Sequence, residues 1–170
     1  MTVLSQSNED YLEAILILSL KRGVVRVKDL AARLGVKAPS VVAAMKRLAQ
    51  EGLVRHEHYG YVELTGRGLQ LAQKIHARHK VLFRFLHVFL GVDEETAERD
   101  ACQIEHSVSP ETMERIVRFL EFIEACPSQE PRWLTAFRHF VATGTLPEDC
   151  LKMAEEAASM VGKTLKGNGA

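Results

Sequence analysis

LAARLGVKAPSVVAAMKRLAQEGLV, residues 30–54, is the stretch whose reading decides the fold. Two helical patterns flank Gly35, which permits a tight turn between them. Ala31, Ala32 and Leu34 are expected to pack the first helix closely. Pro39 opens the second, where a missing backbone N–H costs nothing. Val41, Val42, Met45 and Leu48 recur at helical spacing and supply its buried stripe. Its opposite face and N-terminal turn offer Lys37, Ser40, Ala43, Ala44, Lys46 and Arg47. After Gly52, the segment LVRHEHYGYVELT (53–65) forms two short alternating runs around Tyr59-Gly60 and reads as a β-hairpin. Helix, short helix, turn, helix and hairpin follow one another in the order of a winged helix-turn-helix.

Outward from that module, helical periodicity continues in both directions. Upstream, Ser7 or Asn8 caps a helix with apolar residues Tyr11, Leu12, Ile15, Leu16, Leu18 and Leu20, closed by Gly23. Downstream, Thr65 precedes a long helix over about 67–90, carrying Leu71, Ile75, Leu82, Leu86 and Phe89, and Gly91 stops it. Asp93 caps a helix over 94–107, with Glu94 and Glu95 suited to its dipole. Ser109-Pro110-Glu111 starts another that runs to about 125. Helical stretches near 132–142 and 147–161 precede the tail GKTLKGNGA. The fold class is mainly α: a winged helix-turn-helix over 1–65, an all-helical domain over 66–143, and a C-terminal helix and tail over 144–170.

Composition narrows the function classes. The 170 residues are 26% charged and 46% hydrophobic, an ordinary globular balance. No apolar run reaches the roughly 18 residues that span a bilayer. Acidic residues stand where a signal peptide would be basic. The three cysteines, Cys102, Cys126 and Cys150, are odd in number and widely spaced, which disfavours a disulfide framework and points to a reducing cytoplasm. A net charge of zero conceals an asymmetry: residues 1–75 hold 11 Lys/Arg against 7 Asp/Glu, and residues 76–170 hold 11 against 15. A basic N-terminal half suits a polyanion. Lys37, Pro39, Ser40, Ala43, Lys46 and Arg47 are the expected DNA contacts. Lysine and arginine neutralise phosphates, the helix start presents free N–H groups, and an alanine touches only a thymine methyl. Phosphates and DNA shape therefore dominate the expected affinity.

A second constellation carries metal chemistry. Cys102, Glu105 and His106 stand at i, i+3 and i+4, on one face of the helix expected there. Thiolate, carboxylate and imidazole are all ligands for divalent metals. Asp10 and Glu13 share a face of the first helix, either as ligands or as first-turn acids favoured by the dipole. His79, in the long helix, reads as a ligand or as a core histidine. Cys126, Cys150 and His139 match no zinc spacing.

EDYLEAI (9–15), DLAARLGVKAPSVVAAMKRLAQEGLV (29–54), LT-GRG (64–68), RHKVLFRFL (78–86), LGVD (90–93) and ACQIEHSVS (101–109) together resemble the iron-dependent repressor family, which includes the diphtheria toxin repressor and the manganese transport regulator. The resemblance covers residues 7–125. It implies a homodimer with an N-terminal winged helix, a helical dimerisation domain, and a divalent metal as corepressor. It places the ligands at Asp10, Glu13, His79, Cys102, Glu105 and His106. The acids at 10 and 13 match the manganese branch, and Cys102 matches the iron branch. The iron branch's ancillary site is not expected, because Phe83 replaces its carboxylate, Glu98 replaces its histidine, and no β-rich segment for an SH3-like third domain follows. A binuclear arrangement, with one or two ions per subunit, remains open.

A thiolate in the set softens it, so Fe2+ ranks first, ahead of Zn2+ and Mn2+, with Co2+ and Ni2+ also compatible. Ligands at 10 and 13 on one module and at 79–106 on the next suggest that the cation fixes a hinge. In a dimer that hinge sets the distance between recognition helices, ideally about 34–36 Å. Ile104, Met113, Ile116, Val117 and Leu120 are the expected dimer surface. No nucleophile or substrate motif accompanies the cluster, so no enzyme, small-molecule substrate or membrane partner is expected. The rival readings are a winged-helix regulator without metal, a metal-dependent hydrolase, and an architectural DNA protein.

Overall fold

In the computed structural model, residues 4–56, 60–125, 131–150 and 152 are described. Helix α1 (Gln6–Arg22) begins two to three residues earlier than the sequence suggests. Ser5 is its cap, because its hydroxyl accepts from the Asn8 N–H, and Ser7 and Asn8 already lie inside the helix. Gly23, at φ 73°, ends it in a conformation that a side chain would oppose. A two-residue strand follows, β1 (Val25–Arg26), then α2 (Val27–Leu34) and α3 (Ala38–Gln50). The hairpin strands are β2 (Val54–His56) and β3 (Tyr61–Leu64); its tip, residues 57–59, lies outside the described residues.

β1 is too short to show periodicity. It pairs antiparallel with β3, Val25 opposite Val62, so the wing is a three-stranded sheet ordered β1-β3-β2. The helical part comprises α4 (Gly66–Arg84), a π-helical turn at Phe85–Phe89, α5 (Glu94–Ile104), α6 (Pro110–Glu124) and α7 (Arg132–Thr143). Most of the helix expected near 147–161, and Cys126, lie outside the described residues.

One joint links the wing rigidly to α4. The Thr65 side chain caps α4 by accepting from the Gly68 N–H, and its hydroxyl donates to the Gly52 carbonyl. A Cβ at Gly68 would lie 1.9 Å from the Leu53 carbonyl oxygen, so only glycine allows this approach. Two hydrophobic cores result. The first gathers α1, α2, α3 and the sheet, and also takes Ala72 and Ile75 from the first half of α4. The second is Phe89, Leu120, Ile123 and Leu134.

Several sequence expectations need correction. Ala44 is fully buried instead of facing DNA, and Val42 is only half-buried. Ala32 is exposed, so Leu30 supplies the anchor of α2. Leu20 is 74% exposed, because α1 outruns the core at its last turn. The helix expected to reach residue 107 stops at Ile104, with Glu105 as its C-cap. Of the expected dimer surface, Leu120 belongs to the monomer's second core and Ile116 packs against it.

Candidate metal centre and nucleic-acid interface

Three elements deliver the candidate ligands to one place. Glu13 of α1, His79 of α4 and Glu105 at the end of α5 are all buried, with donor atoms within 4.8 Å of one another. His79 Nδ1 lies 3.1 Å from Glu105 Oε2, and its Nε2 lies 3.1 Å from Glu98 Oε2. His106 follows in the α5–α6 turn. Its Nδ1 bonds Glu9 Oε2 at 2.7 Å, and its Nε2 lies 2.9 Å from Asp10 Oδ1 and 3.3 Å from Glu105 Oε1. Glu105, the C-cap of α5 and still helical in its backbone, and His106 just after it both place side-chain atoms at this centre. Arg78 donates to the Glu105 carbonyl and so holds this helix end.

Cys102 is set apart from that trio. Half-buried, it lines a cleft of about 400 Å³ together with Glu13, His76, His79, Phe83 and Glu98. Burial first, and then the carboxylates of Glu105, Asp10, Glu13 and Glu98, push its thiol up to about 11. In the metal-free chain burial and these carboxylates keep it a thiol, although Arg33, Lys80 and Arg99 also line the cleft.

The remaining electrostatics show the same frustration. Glu105 is raised above the usual carboxylate range, chiefly by burial, and Asp10 likewise. His79 is raised to about 9, chiefly by its hydrogen bond to Glu105. Two buried atoms, Glu105 Oε1 and His106 Nε2, approach each other without a geometry that makes a hydrogen bond. Unsatisfied buried polar atoms are rare and call for an explanation. Carboxylate oxygens and an imidazole lone pair converging on one point fit a divalent cation.

Sequence reasoning missed three participants. Glu9 is one turn before Glu13, and His76 is one turn before His79, bonding Glu13 Oε1 at 2.9 Å; both spacings were visible. Glu98 registers in the sequence only as a departure from the iron branch, yet it faces His79. Cys150 is half-buried, and among the described residues no metal-ligating group forms around it or His139.

On the winged helix, Lys37, Pro39, Ser40, Ala43, Lys46 and Arg47 are all exposed, spread from the start of α3 to its last turn. Lys37 is the N-cap residue and makes no side-chain capping bond; its carbonyl accepts from the Ser40 N–H and Pro39 has none, so the Ala38 N–H and the lysine charge are what the helix start offers an anion. Arg26 stacks over the Tyr61 ring, 5.3 Å from its centroid, at the base of the wing. No helix among the described residues is long and apolar enough to cross a membrane.

Comparison with known proteins matches this architecture. The profile "Iron dependent repressor, N-terminal DNA binding domain" matches residues 3–62, and "Iron dependent repressor, metal binding and dimerisation domain" matches residues 65–134. An uncharacterised HTH-type transcriptional regulator of Methanocaldococcus jannaschii is 40% identical over 119 residues, which is 69% of this chain and 95% of that protein. The transcriptional regulator MntR of Salmonella typhimurium is 42% identical over 113 residues, 66% of this chain and 71% of that protein. A solved manganese-dependent transcriptional repressor in complex with manganese superposes with TM-score 0.63 at 34% identity. That match covers 73% of this chain and 55% of the solved one, so this chain spans little more than half of that structure's length. With both halves matched in order and the helical centre built as described, the chain belongs to the iron-dependent repressor family of metal-responsive transcriptional regulators.

Proposed function

We propose that this chain is a divalent-cation-activated repressor that binds operator DNA as a homodimer and controls metal homeostasis genes. The observation that carries the reading is the convergence of Asp10 and Glu13 from the DNA-binding module with His79, Glu105 and His106 from the helical module. A cation held there neutralises carboxylates that otherwise repel one another and completes the two unsatisfied buried atoms.

Packing supports a reading of which piece the cation fixes. Ala72 and Ile75 of α4 already belong to the winged-helix core, so α4 travels with that module. The part the cation secures further is the α5–α6 segment, which Arg78, His79 and Glu9 already hold by hydrogen bonds and which brings Cys102, Glu105 and His106 to the site. In the metal-loaded dimer this setting fixes the spacing of the two α3 helices. Their phosphate contacts come from Lys37, Ser40, Lys46 and Arg47.

Mn2+ ranks first on this geometry, because the gathered donors are carboxylate oxygens and imidazole nitrogens while the Cys102 thiol is protonated and set apart. A second reading, Fe2+ first, rests on Cys102 lining the same cleft and losing its proton to join the site. Either one ion or two sharing Glu13 and Glu105 fits the donor set.

Selection from a pool of random duplexes in Mn2+, repeated with anaerobic Fe2+ and with Zn2+, tests the reading. Enrichment of a two-fold symmetric sequence that a chelator abolishes supports it. Equal binding with and without chelator selects a metal-independent winged-helix protein. Hydrolysis of common phosphate or carboxylate esters by the loaded protein selects the enzyme reading.

A further inference from the structure

His106 is gripped on both sides by consecutive residues of α1. A neutral imidazole carries one proton, and the bond the other nitrogen makes decides where it sits. Here Nδ1 makes the shortest contact, a hydrogen bond to Glu9 Oε2 at 2.7 Å, whereas Nε2 lies 2.9 Å from Asp10 Oδ1 and 3.3 Å from Glu105 Oε1 without the angles of a good hydrogen bond. The imidazole is 5% exposed and the Glu9 side chain 18%, so solvent does little to loosen this pair. Glu9 and His106 together line a cavity of about 960 Å³ bordered by Leu4, Arg78, Met113 and Val117.

We infer that Glu9 is a positioning residue for the metal centre: it holds the His106 proton on Nδ1 and so turns the Nε2 lone pair toward the cation. A carboxylate behind a ligating imidazole fixes its tautomer and orientation and raises its basicity. Glu9 and His106 are 97 residues apart. The same bond therefore latches the DNA-binding helix to the α5–α6 turn before any ion arrives. Asp10 then completes the grip through the ion, so residues 9 and 10 act on opposite nitrogens of one ring. This assignment rests on the repressor reading for its metal half, and on the metal-free geometry alone for its latch half.

Long-range proton–nitrogen spectra of histidine-labelled, metal-free protein near pH 8 read the His106 tautomer directly. The expected result is Nδ1–H in the wild-type chain and loss of that preference in Glu9→Ala. In Mn2+ titrations followed by electron paramagnetic resonance, Glu9→Ala is expected to bind roughly 10–100-fold more weakly. Glu9→Gln, which keeps an acceptor oxygen, is expected to recover part of that affinity. An Nε2–H tautomer in the wild-type protein overturns the inference with no variant needed. So does Glu9→Ala with unchanged tautomer and affinity, even if its thermal stability falls, since that is a structural role only. If the wild-type chain binds no Mn2+, Fe2+ or Zn2+, the repressor reading fails while the tautomer still decides the latch.

Discussion

Around Leu12 and Leu48 the winged-helix core is closed, with 17 buried hydrophobic residues drawn from four helices and the sheet. Around Leu120 the second core holds four, and beside it Phe122 is 67% exposed, Trp133 46% and Phe140 47%. Large aromatic side chains left in water suit a surface that a partner covers. The first region closes its own apolar core; on the proposed reading the second is finished from outside, by a cation at one end and by a second copy. A sensor needs this division, because a ligand shifts an equilibrium only where the unliganded state is left incomplete.

The comparison breaks first at the cores. Leu48→Ala, at a site with no exposure, should cost about 2–5 kcal/mol. Phe122→Ser should leave metal-free, dilute protein nearly unchanged and weaken self-association instead. Chemical denaturation and sedimentation read the two effects. Equal losses of monomer stability would show that the helical half is as self-sufficient as the winged helix.

His106→Ala comes next, because no neighbour replaces the imidazole at the junction of α1 and the α5–α6 turn. It should remove the metal dependence of DNA binding, a loss on the order of 5–150-fold, while metal-free affinity for the same duplex stays put. Gel shifts at fixed ionic strength check both numbers.

The pH dependence is smaller and has a definite sign. His79, held near 9 by Glu105, carries its proton at pH 7 in the metal-free chain, and a cation needs the lone pair. Metal uptake therefore releases a proton, and affinity should rise with pH, at most about tenfold per unit, up to about 9. Isothermal titration in buffers of different ionisation enthalpy counts that proton. A flat profile between pH 6.5 and 8.5 would place His79 outside the ligand set.

Smallest is the effect of Cys102→Glu. Replacing a protonated thiol at the cleft wall with a carboxylate should preserve metal-dependent DNA binding and move the ion ranking further toward Mn2+. An unchanged ranking, with Cys102 unreactive to thiol reagents in both metal-free and loaded protein, would make it a packing residue.

Much of this was legible in the sequence wherever periodicity or punctuation was strong. Gly35, Pro39 and Gly52 frame α3, Thr65 caps α4, and Asp93 caps α5 by accepting from the Thr96 N–H. Strand β1 was hidden because two residues show no alternation, and its pairing with β3 exists only in three dimensions. Ala43 and Ala44 look alike in sequence, yet the helix phase buries one and exposes the other. At the metal centre, the spacing of Cys102, Glu105 and His106 pointed to the end of α5, and the structure adds there the residues of α1 and α4 that no local spacing reveals. Glu9 escaped notice because first-turn acids are common. Only the fold shows that it reaches the histidine at 106.

The central claim is that one cation couples the α5–α6 segment to the DNA-binding module. It is tested most directly by Mn2+ titrations of the protein alone and of the protein saturated with a selected operator duplex. Linkage requires that DNA tighten Mn2+ by the factor by which Mn2+ tightens DNA. The account predicts equal factors, both well above one, in the wild-type chain, and a factor of one in His106→Ala. The same Mn2+ affinity with and without duplex in the wild-type protein would contradict it.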